Sequence, residues 1–434
     1  MVADPSTTIR FLLASRQCEL NSLRYLLQSG ALVGKISQLV HMLQRERGTS
    51  NLFLCSDGRL FADELRLREQ EVAQAQEPLM AHLDQLETMT AELPQASRLF
   101  SRVASVVYAL SLLPSLRQDI RQRILPLPQA MTFFNDIIRN LLSLVFEVSD
   151  TAAEPVISRA LIAMFSFMQG KEFAGQERAI GAAAFASSVF NDDTQQKLLD
   201  LIERQERCFA TFAEFADEPN RQRWLQMMTD SEFERLRRIA CTRSHAETRQ
   251  DEGSLRWFAI STQRIDAMKQ LEDRLELTLM QLCRERIAAA EQANSQQMAD
   301  IESLMSPAEQ DEPGYSVFIA GHSMAEGESD RQSASHDWLN SDGVRPQLGR
   351  SLLSLVQRQS RRLQALDHEL AALRETLNER KHIDRAKSLL MQHRNLSEEE
   401  AYKTLRKMAM NQNKKMIEIA TAMLAVADVF QDRP

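Results

Sequence analysis

Residues 36–54 read ISQLVHMLQRERGTSNLFL, and the apolar side chains among them recur at helical spacing. Ile36 and Leu43 lie on one side of the helix that this spacing predicts, and Leu54 continues the same side. The apolar stripe also passes through position 47, where the sequence has an arginine. We therefore expect an amphipathic helix that carries a cation among its core positions.

Two further apolar stripes contain an arginine in the same way. The stripe that starts at Leu161 reaches Arg178 before it continues to Phe185, and Arg237 follows Phe233 by one turn of helix. Burying a guanidinium without a partner is costly, and arginine does not lose its proton to avoid that cost. Each of these arginines therefore needs a negatively charged or polar partner.

Two interpretations of the arginines remain open. One is a set of internal ion pairs, because Glu46, Glu177 and Glu234 are near them in sequence. However, Glu46 and Glu177 are adjacent to their arginines and so point to a different side of the helix. The other interpretation is a small pocket for nitrate, nitrite or a short carboxylate, since a planar guanidinium matches a planar oxyanion through paired hydrogen bonds.

The composition indicates a helical protein. The 434 residues suffice for two or three domains, and thirteen Gly and twelve Pro are few for this length, which favours an all-α fold. The five cysteines are scattered and form no CxxC pair, so neither a disulfide framework nor a metal site is expected. We find neither a signal segment nor an apolar run approaching about 20 residues, and we expect a soluble, cytoplasmic protein without a membrane segment.

Turn-forming residues divide residues 8–300 into long amphipathic segments. These suffice for about eight helices, which predicts two four-helix bundles packed into one unit. The expected helix breaks are Gly30, Gly58, Pro94, Pro114, the Pro126–Pro128 pair, Pro155, residues 217–219 and residues 251–253. Residues 304–346 are rich in Ser, Asp, Glu and Gly without helical periodicity, so we expect a flexible linker there.

A seven-residue repeat follows in residues 347–380. It consists of Val356, Leu363, Leu370 and Leu377, with Leu352, Leu366 and Leu373 each four residues before a member of that series. This repeat predicts a coiled-coil helix and, through it, a homodimer. Gln359 occupies an apolar position of the repeat, and a single amphipathic helix packed on its own domain is the alternative.

The C-terminal tail is basic, although the chain as a whole carries a net charge of −8. Residues 380–434 contain eleven Lys or Arg and seven Asp or Glu, a net charge of +4. Three short helices fit this segment, and a tyrosine, Tyr402, lies among its cations. Cations neutralise phosphates and a tyrosine ring stacks on an unpaired base, so an RNA loop is one candidate partner. The alternative is a solvated polar face.

The tail resembles the ANTAR domain of transcription antitermination regulators. The resemblance rests on residues 379–391, which read ERKHIDRAKSLLM, and on residues 398–410, which read EEEAYKTLRKMAM. It implies binding to tandem RNA hairpins in a leader transcript, so that a terminator hairpin does not form. The RNA-facing positions that it implies are Arg385, Lys387, Tyr402, Arg406 and Lys407, with Ala386 and Ala409 where close approach is needed.

The body of the chain resembles the NIT domain, a nitrate- and nitrite-sensing helical module of bacterial regulators. Residues 46–50 read ERGTS and residues 175–179 read GQERA, and these elements carry the resemblance. It implies an anion held by arginines between two helical bundles, with nitrate or nitrite as the ligand and no other cofactor. The nitrate-binding positions that it implies are Arg47, Ser50, Gly175, Arg178 and Arg237, with Arg238 as the alternative to Arg237.

Together these features predict a nitrate-responsive antitermination regulator. We expect a NIT-like domain in residues 1–303, a linker in 304–346, a coiled-coil helix in 347–380 and an ANTAR-like domain in 381–434. Anion binding would release the tail to bind leader mRNA hairpins. The alternative is an anion-gated dimeric signalling or scaffold protein whose tail binds a protein partner. We expect no enzyme, because the sequence has no convergent nucleophile and base and no phosphate-binding glycine loop.

Overall fold

A computed structural model provides the structure of the protein. It describes residues 5–90, 96–152, 154–187, 190–227, 231–242, 250–305, 357, 360–371, 382–383, 386–387, 389–390, 396, 398–412 and 414–431. Within these ranges the regular elements are all helices, which confirms the expected all-α fold.

Helices follow one another along the part of the chain that the structure describes. They are α1 (Pro5–Cys55), α2 (Ala62–Thr90), α3 (Ala96–Ser111), α4 (Leu113–Arg121), α5 (Leu127–Thr151), α6 (Pro155–Ser187), α7 (Asp192–Phe215), α8 (Glu218–Met227), α9 (Ser231–Thr242), α10 (Gln250–Met305), α11 (Glu398–Gln412) and α12 (Met416–Gln431). Residues 360–371 are also helical.

The chain divides into two compact units. One consists of residues 1–25 and 284–368, and the other of residues 26–283 and 369–434. In the first unit, Arg24 donates to Glu291 at 3.0 Å. Arg362 of the same unit pairs with Glu19 at 2.6 Å.

The second unit is built around α6, which packs against α5, α7 and α9. Most of its side chains are buried, as expected for a helix that is apolar on nearly every side. Phe167 of α6 contacts the rings of Phe212 and Trp224 at centroid distances of 4.9 and 5.4 Å. α6 is therefore the central helix of this unit. Several polar side chains on it, such as Glu172 and Arg178, are buried together with the apolar ones.

Some expected helix breaks are present and others are not. α1 ends at Cys55, and Gly58 follows with φ +78°, while Pro155 begins α6. The break expected at Gly30 is wrong, because α1 continues through it. A Cβ at Gly30 would lie 3.0 Å from Met280 Sδ, so this glycine allows close approach of α10. The break expected at 251–253 is also wrong, since α10 already begins at Gln250. Pro94 lies outside the described residues.

Residues 97–121 are long and apolar enough to cross a membrane by length and composition alone. The expectation that no segment approaches this threshold is therefore wrong. The segment comprises α3 and α4, and 33% of its most apolar window is buried. Leu110, Leu113 and Ile120 are buried in the protein. Core helices of soluble proteins can have the same length and apolar composition.

The tail forms a small helical core of its own. Ala386 and Leu390 pack there with Ala401 and Leu405 of α11 and with Ala420 of α12. Of the seven-residue repeat, Leu370 is buried and Leu363 is exposed. The remaining members of that repeat, apart from the partly buried Leu366, lie outside the described residues, as does the predicted linker beyond Met305.

Candidate functional site

Two arginines cross between α1 and α6 in a reciprocal arrangement. A Cβ at Gly175 of α6 would lie 2.5 Å from Nη2 of Arg47, and a Cβ at Gly48 of α1 would lie 2.7 Å from Nη2 of Arg178. Each guanidinium thus occupies the space left by a glycine on the opposite helix. Both arginines are almost completely buried, with exposed fractions of 0% and 1%.

Arg47 has an internal carboxylate partner. Its Nη1 donates to Oε1 of Glu172 at 2.5 Å, and its Nη2 donates to Oε2 of the same residue at 3.2 Å. Nη1 also donates to Asn135 Oδ1 at 2.6 Å. This pairing is the bidentate geometry in which guanidinium and carboxylate bind most strongly. The internal ion-pair interpretation therefore holds for Arg47, with a partner from α6.

Arg178 has neutral partners. Nη1 donates to Thr262 Oγ1 at 2.9 Å, and Nη2 donates to the main-chain carbonyl of Gln44 at 2.6 Å. The guanidinium also lies 5.0 Å above the Phe258 ring. Among the described residues, no carboxylate is within ion-pair distance of it, and its Nε has no hydrogen-bond partner. Arg178 is thus a buried cation that contacts no opposite charge from the residues that the structure describes.

The environment of Arg178 opposes its charge. Burial and, after it, the neighbouring charge of Arg47 lower the pKa of Arg178 to about 9. The guanidinium remains protonated at neutral pH. An anion beside it would relieve both effects, because it would supply the missing opposite charge.

Arg237 of α9 is partly buried, with a side chain that is 14% exposed, and Arg238 is exposed, so Arg237 is the inward-facing member of the pair. Nε and Nη2 of Arg237 donate to the two carboxylate oxygens of Glu177, at 2.7 and 2.9 Å. Burial would lower the pKa of Arg237, but the Glu177 carboxylate holds it above its ordinary value. The structure thus gives Arg237 an internal partner and brings Arg47 and Arg178, but not Arg238, to the contact between α1 and α6.

Gly175 lies at the same contact, and Ser50 follows Arg47 by three residues on α1. Ser50 is fully buried on α1, and its Oγ has no hydrogen-bond partner among the described residues. Gly175 provides the space for Arg47, as its Cβ distance shows. The Nε of Arg47 and Oε1 of Gln44 are also buried without a partner. Unpaired buried polar atoms are rare in folded proteins, so a bound ion or water molecule is a candidate partner for these groups.

The tail meets the body through an aromatic contact within the second compact unit. The guanidinium of Arg207 on α7 lies 5.8 Å from the ring centroid of Tyr402 on α11. A cation over an aromatic face is attracted by the ring and covers that face. Tyr402 is one of the positions at which the ANTAR resemblance implies RNA contact.

The other RNA-facing candidates differ in exposure. Arg406 and Lys407 are exposed on α11. Ala386, Lys387 and Ala409 are buried, with exposed fractions of 0%, 3% and 6%. Ala386 belongs to the core of the tail, so a close approach of RNA to it is not available in this conformation. Arg385 lies outside the described residues.

Comparison with known families identifies both parts of the chain. The model of the NIT family, described as nitrate and nitrite sensing, matches residues 38–280, which is more than half of the chain. The chain belongs to the NIT family. The ANTAR domain model matches residues 371–424, and therefore includes α11 and most of α12.

Two relatives match the chain over nearly its whole length and nearly all of their own. The nitrate regulatory protein of Klebsiella oxytoca is 36% identical over 438 residues, which cover 100% of this chain and 99% of that protein. A solved structure of the NasR transcription antiterminator is 35% identical and has a TM-score of 0.59. The match covers 97% of this chain and 99% of that one.

Residues adjacent to the arginines of the NIT domain do not pair with them, as expected from their direction on the helix. Glu46 instead accepts from Nε and Nη2 of Arg117, both at 2.8 Å. Glu177 pairs with Arg237 rather than with Arg178. Of the three expected partners, only Glu234 pairs with the arginine nearest to it in the sequence. Its Oε1 lies 3.4 Å from Nη1 of Arg237.

Sequence analysis missed the carboxylate that pairs with Arg47. Glu172 follows Met168 by four residues on the apolar stripe of α6, so the rule that singled out the arginines also applies to it. The partners of Arg178 could not be found in this way. Gln44 contributes its main-chain carbonyl, and Thr262 is an ordinary helical residue of α10.

A second buried ionic cluster of the NIT domain lies on α1, α6 and α10. Lys171 of α6 and Glu272 of α10 form an ion pair, and both side chains are fully buried. Lys269 donates to Ser37 Oγ of α1 at 2.9 Å. His41 Nε2 lies 3.6 Å from Asp266 Oδ1, yet burial and nearby cations lower the pKa of His41 to about 2. His41 is therefore neutral, and its contact with Asp266 is not an ion pair.

Proposed function

We propose that this protein is a nitrate-responsive transcription antiterminator, in which a small anion bound at Arg178 and Arg47 frees the tail to bind leader RNA. The observation that carries the proposal is the buried guanidinium of Arg178. It has only neutral hydrogen-bond partners among the described residues. A fixed cation of this kind is costly unless a ligand provides the counter-charge.

The chemistry of the site favours a small planar oxyanion. Three of the unpaired groups donate hydrogen bonds, namely Nε of each arginine and the hydroxyl of Ser50, and the fourth, Oε1 of Gln44, is an acceptor. Nitrate and nitrite present coplanar oxygens to such donors, as a carboxylate does in a bidentate arginine pair. The family to which the chain belongs senses these two anions. We propose nitrate or nitrite as the ligand and no other cofactor.

The tail contacts the body in this conformation. Arg207 covers the face of Tyr402, and Lys387 is buried. A base cannot stack on a ring face that a guanidinium already occupies. The exposed Arg406 and Lys407 remain available for phosphates. We propose that nitrate binding weakens the contact of α7 with α11 and so uncovers Tyr402.

The energy required for such a switch is modest. A ligand shifts an equilibrium only by its differential affinity for the two states. A preference of about 100-fold corresponds to about 2.7 kcal/mol, which lies within the usual range of coupling between two sites.

The remaining assignments belong to the same proposal. Residues 1–303 would form the sensor, 304–346 the linker, 347–380 a coiled-coil helix that joins two copies, and 381–434 the RNA-binding domain. The protein would act in the cytoplasm, where leader transcripts are made. Arg237 would stabilise the sensor through its ion pair with Glu177. The ligand would contact Arg47, Arg178 and Ser50. Gly175 would leave the space that Arg47 occupies.

A binding titration tests this proposal. A synthetic RNA with two tandem hairpins is titrated with the full-length protein, with and without sodium nitrate at constant ionic strength. We expect nitrate to strengthen RNA binding about 100-fold in the wild type. Arg178→Met removes the charge at similar side-chain length and should abolish the response, whereas the exposed Arg238→Met should retain it.

The result that contradicts the proposal is equally clear. If the affinity for RNA is the same with and without nitrate in the wild type, gating by this anion is wrong. If Arg178→Met still responds fully, the anion binds elsewhere.

A further inference from the structure

Glu172 already provides one negative charge at the candidate anion site. Its side chain is 5% exposed, and its two oxygens accept from both terminal nitrogens of Arg47. Gln44 Nε2 and Gln176 Nε2 donate to it as well, each at 2.8 Å. With four donors, this carboxylate is as well satisfied as a bound planar anion would be. Glu172 is therefore a fixed, fully hydrogen-bonded part of the candidate anion site.

The ionic groups at this contact can be counted. Arg47 and Arg178 contribute two positive charges, and Glu172 contributes one negative charge. Three nearby cations have carboxylate partners: Lys171 pairs with Glu272, Lys269 with Asp273 and Arg45 with Glu71. Asp266 is left out of this count because its side chain is 47% exposed and water weakens its field, although its Oδ1 is buried. The contact between α1 and α6 thus retains one net positive charge.

We propose that Glu172 determines the charge selectivity of the anion site, so that the site accepts a monovalent oxyanion and excludes a divalent one. A monovalent ligand brings the buried charges to zero. A divalent anion such as sulfate would leave one buried negative charge without a partner, which is strongly unfavourable. This inference rests on the proposed function, because it concerns the selectivity of the same site.

Removing the charge of Glu172 should abolish this selectivity. Glu172→Gln keeps the shape of the side chain and an oxygen that accepts from Arg47, but leaves two positive charges at the site. We expect the dissociation constant for nitrate to fall by at least about tenfold, which corresponds to about 1.4 kcal/mol. Sulfate, which the wild type should not bind measurably, should bind to the variant.

Isothermal titration calorimetry of the full-length protein with sodium nitrate and sodium sulfate measures both effects. Glu147→Gln is the matched control, because Glu147 is a buried carboxylate that pairs with Arg98 on other helices. It should bind nitrate and exclude sulfate as the wild type does. Glu172→Asp retains the charge with a shorter side chain and should also exclude sulfate.

The outcomes separate this inference from the proposed function. If the wild type binds nitrate and Glu172→Gln binds sulfate no better than the wild type, the inference is wrong and the proposed function stands. If the wild type binds sulfate as tightly as nitrate, the inference is also wrong, and this measurement does not depend on the folding of any variant. If no chain binds nitrate, the proposed function fails first.

Discussion

Gly175 of α6 lies so close to Arg47 of α1 that a Cβ on the glycine would be 2.5 Å from Nη2 of the arginine. The same relationship holds in reverse between Gly48 and Arg178. The ERGxS and GxERA elements therefore have one structural explanation. Each element contains one arginine and one glycine at the contact between the two helices. The arginine of each helix occupies the space that the glycine of the other helix leaves free.

Gly175→Ala should disrupt this contact. The added methyl group must push the Arg47 guanidinium away from Glu172, and overpacking of a buried site costs about 1–3 kcal/mol. We expect a lower free energy of unfolding in urea and weaker nitrate binding. Gly253→Ala is the control, since its Cβ would meet Phe185 at an ordinary distance of 3.4 Å. Equal stability and nitrate affinity of Gly175→Ala and the wild type would contradict this explanation.

The sequence predicted the positions of the buried arginines but not all of their partners. Arg47 and Arg178 stand on apolar stripes, and a stripe reports burial directly because the helix must pack with that side inward. Which residue pairs with a buried cation depends on how two helices align, and spacing within one helix does not contain that information. Glu172 and Arg47 are 125 residues apart in the sequence.

Helix ends were predicted less well than helix faces, and Gly30 illustrates the reason. Glycine disfavours a helix by about 1 kcal/mol relative to alanine, which is small compared with the packing of a long helix. Where a neighbouring helix approaches closely, as Met280 and Leu279 do at Gly30, the absent side chain is an advantage. A glycine in a strongly amphipathic segment therefore predicts either a break or a close contact.

Arg237→Met should destabilise the protein through Glu177. Glu177 is 1% exposed and would keep Gln205 as a donor but lose the bidentate arginine. Leaving a buried charge without its partner costs about 3–5 kcal/mol. The free energy of unfolding, measured in urea, should fall by that amount.

The exposed neighbour of Arg237 provides the control. Arg238→Met should change stability by no more than about 0.5 kcal/mol, as surface substitutions usually do. The double variant Arg237→Met with Glu177→Gln should recover part of the loss, because it removes the uncompensated charge. A loss in Arg238→Met as large as that in Arg237→Met would show that the inward and outward assignments are reversed.

His41 predicts a loss of stability in acid. Its pKa is about 2 in the folded protein, mainly because of burial and then because of Lys171, against an ordinary value of 6.5. The unfolded chain therefore binds a proton first, and stability that is present above pH 6.5 is lost as the pH falls below it. Between pH 7 and pH 5 this single group should remove about 2 kcal/mol from the free energy of unfolding.

The matched variant isolates this contribution. His41→Gln has no proton to gain, so its free energy of unfolding should depend less on pH between 5 and 7 than that of the wild type. Urea denaturation at several pH values measures the difference between the two slopes. Parallel pH profiles for the two chains would mean that His41 titrates alike in the folded and unfolded states.

Arg207→Ala should weaken the hold of the body on the tail. A cation–π contact at a partly exposed site contributes about 0.5–1 kcal/mol, so its loss should strengthen RNA binding without nitrate about two- to fivefold. RNA affinity in the presence of saturating nitrate should change little. Arg223→Ala on α8, where the arginine is exposed, is the control and should behave as the wild type. Unchanged nitrate-free affinity in Arg207→Ala would argue against covering of Tyr402 by this side chain.

Arg406 and Lys407 should reveal whether the tail binds a nucleic acid or a protein partner. Each phosphate contact releases a counterion from the RNA, so the logarithm of affinity falls linearly with the logarithm of salt concentration. Replacing one exposed cation that contacts a phosphate should reduce the magnitude of that slope by about one. The measurement is a fluorescence-anisotropy titration of two-hairpin RNA at several salt concentrations, in saturating nitrate, for the wild type and for Arg406→Ala and Lys407→Ala.

Lys414→Ala provides a further comparison, because Lys414 is exposed but lies between α11 and α12, away from the RNA-facing positions that the sequence implies. Its slope should equal that of the wild type. If Arg406→Ala and Lys407→Ala also keep the wild-type slope while RNA binding persists, the basic face of α11 does not contact phosphate. If the wild type binds the RNA with no salt dependence at all, the tail is not a polyanion-binding domain, and a protein partner becomes the better interpretation.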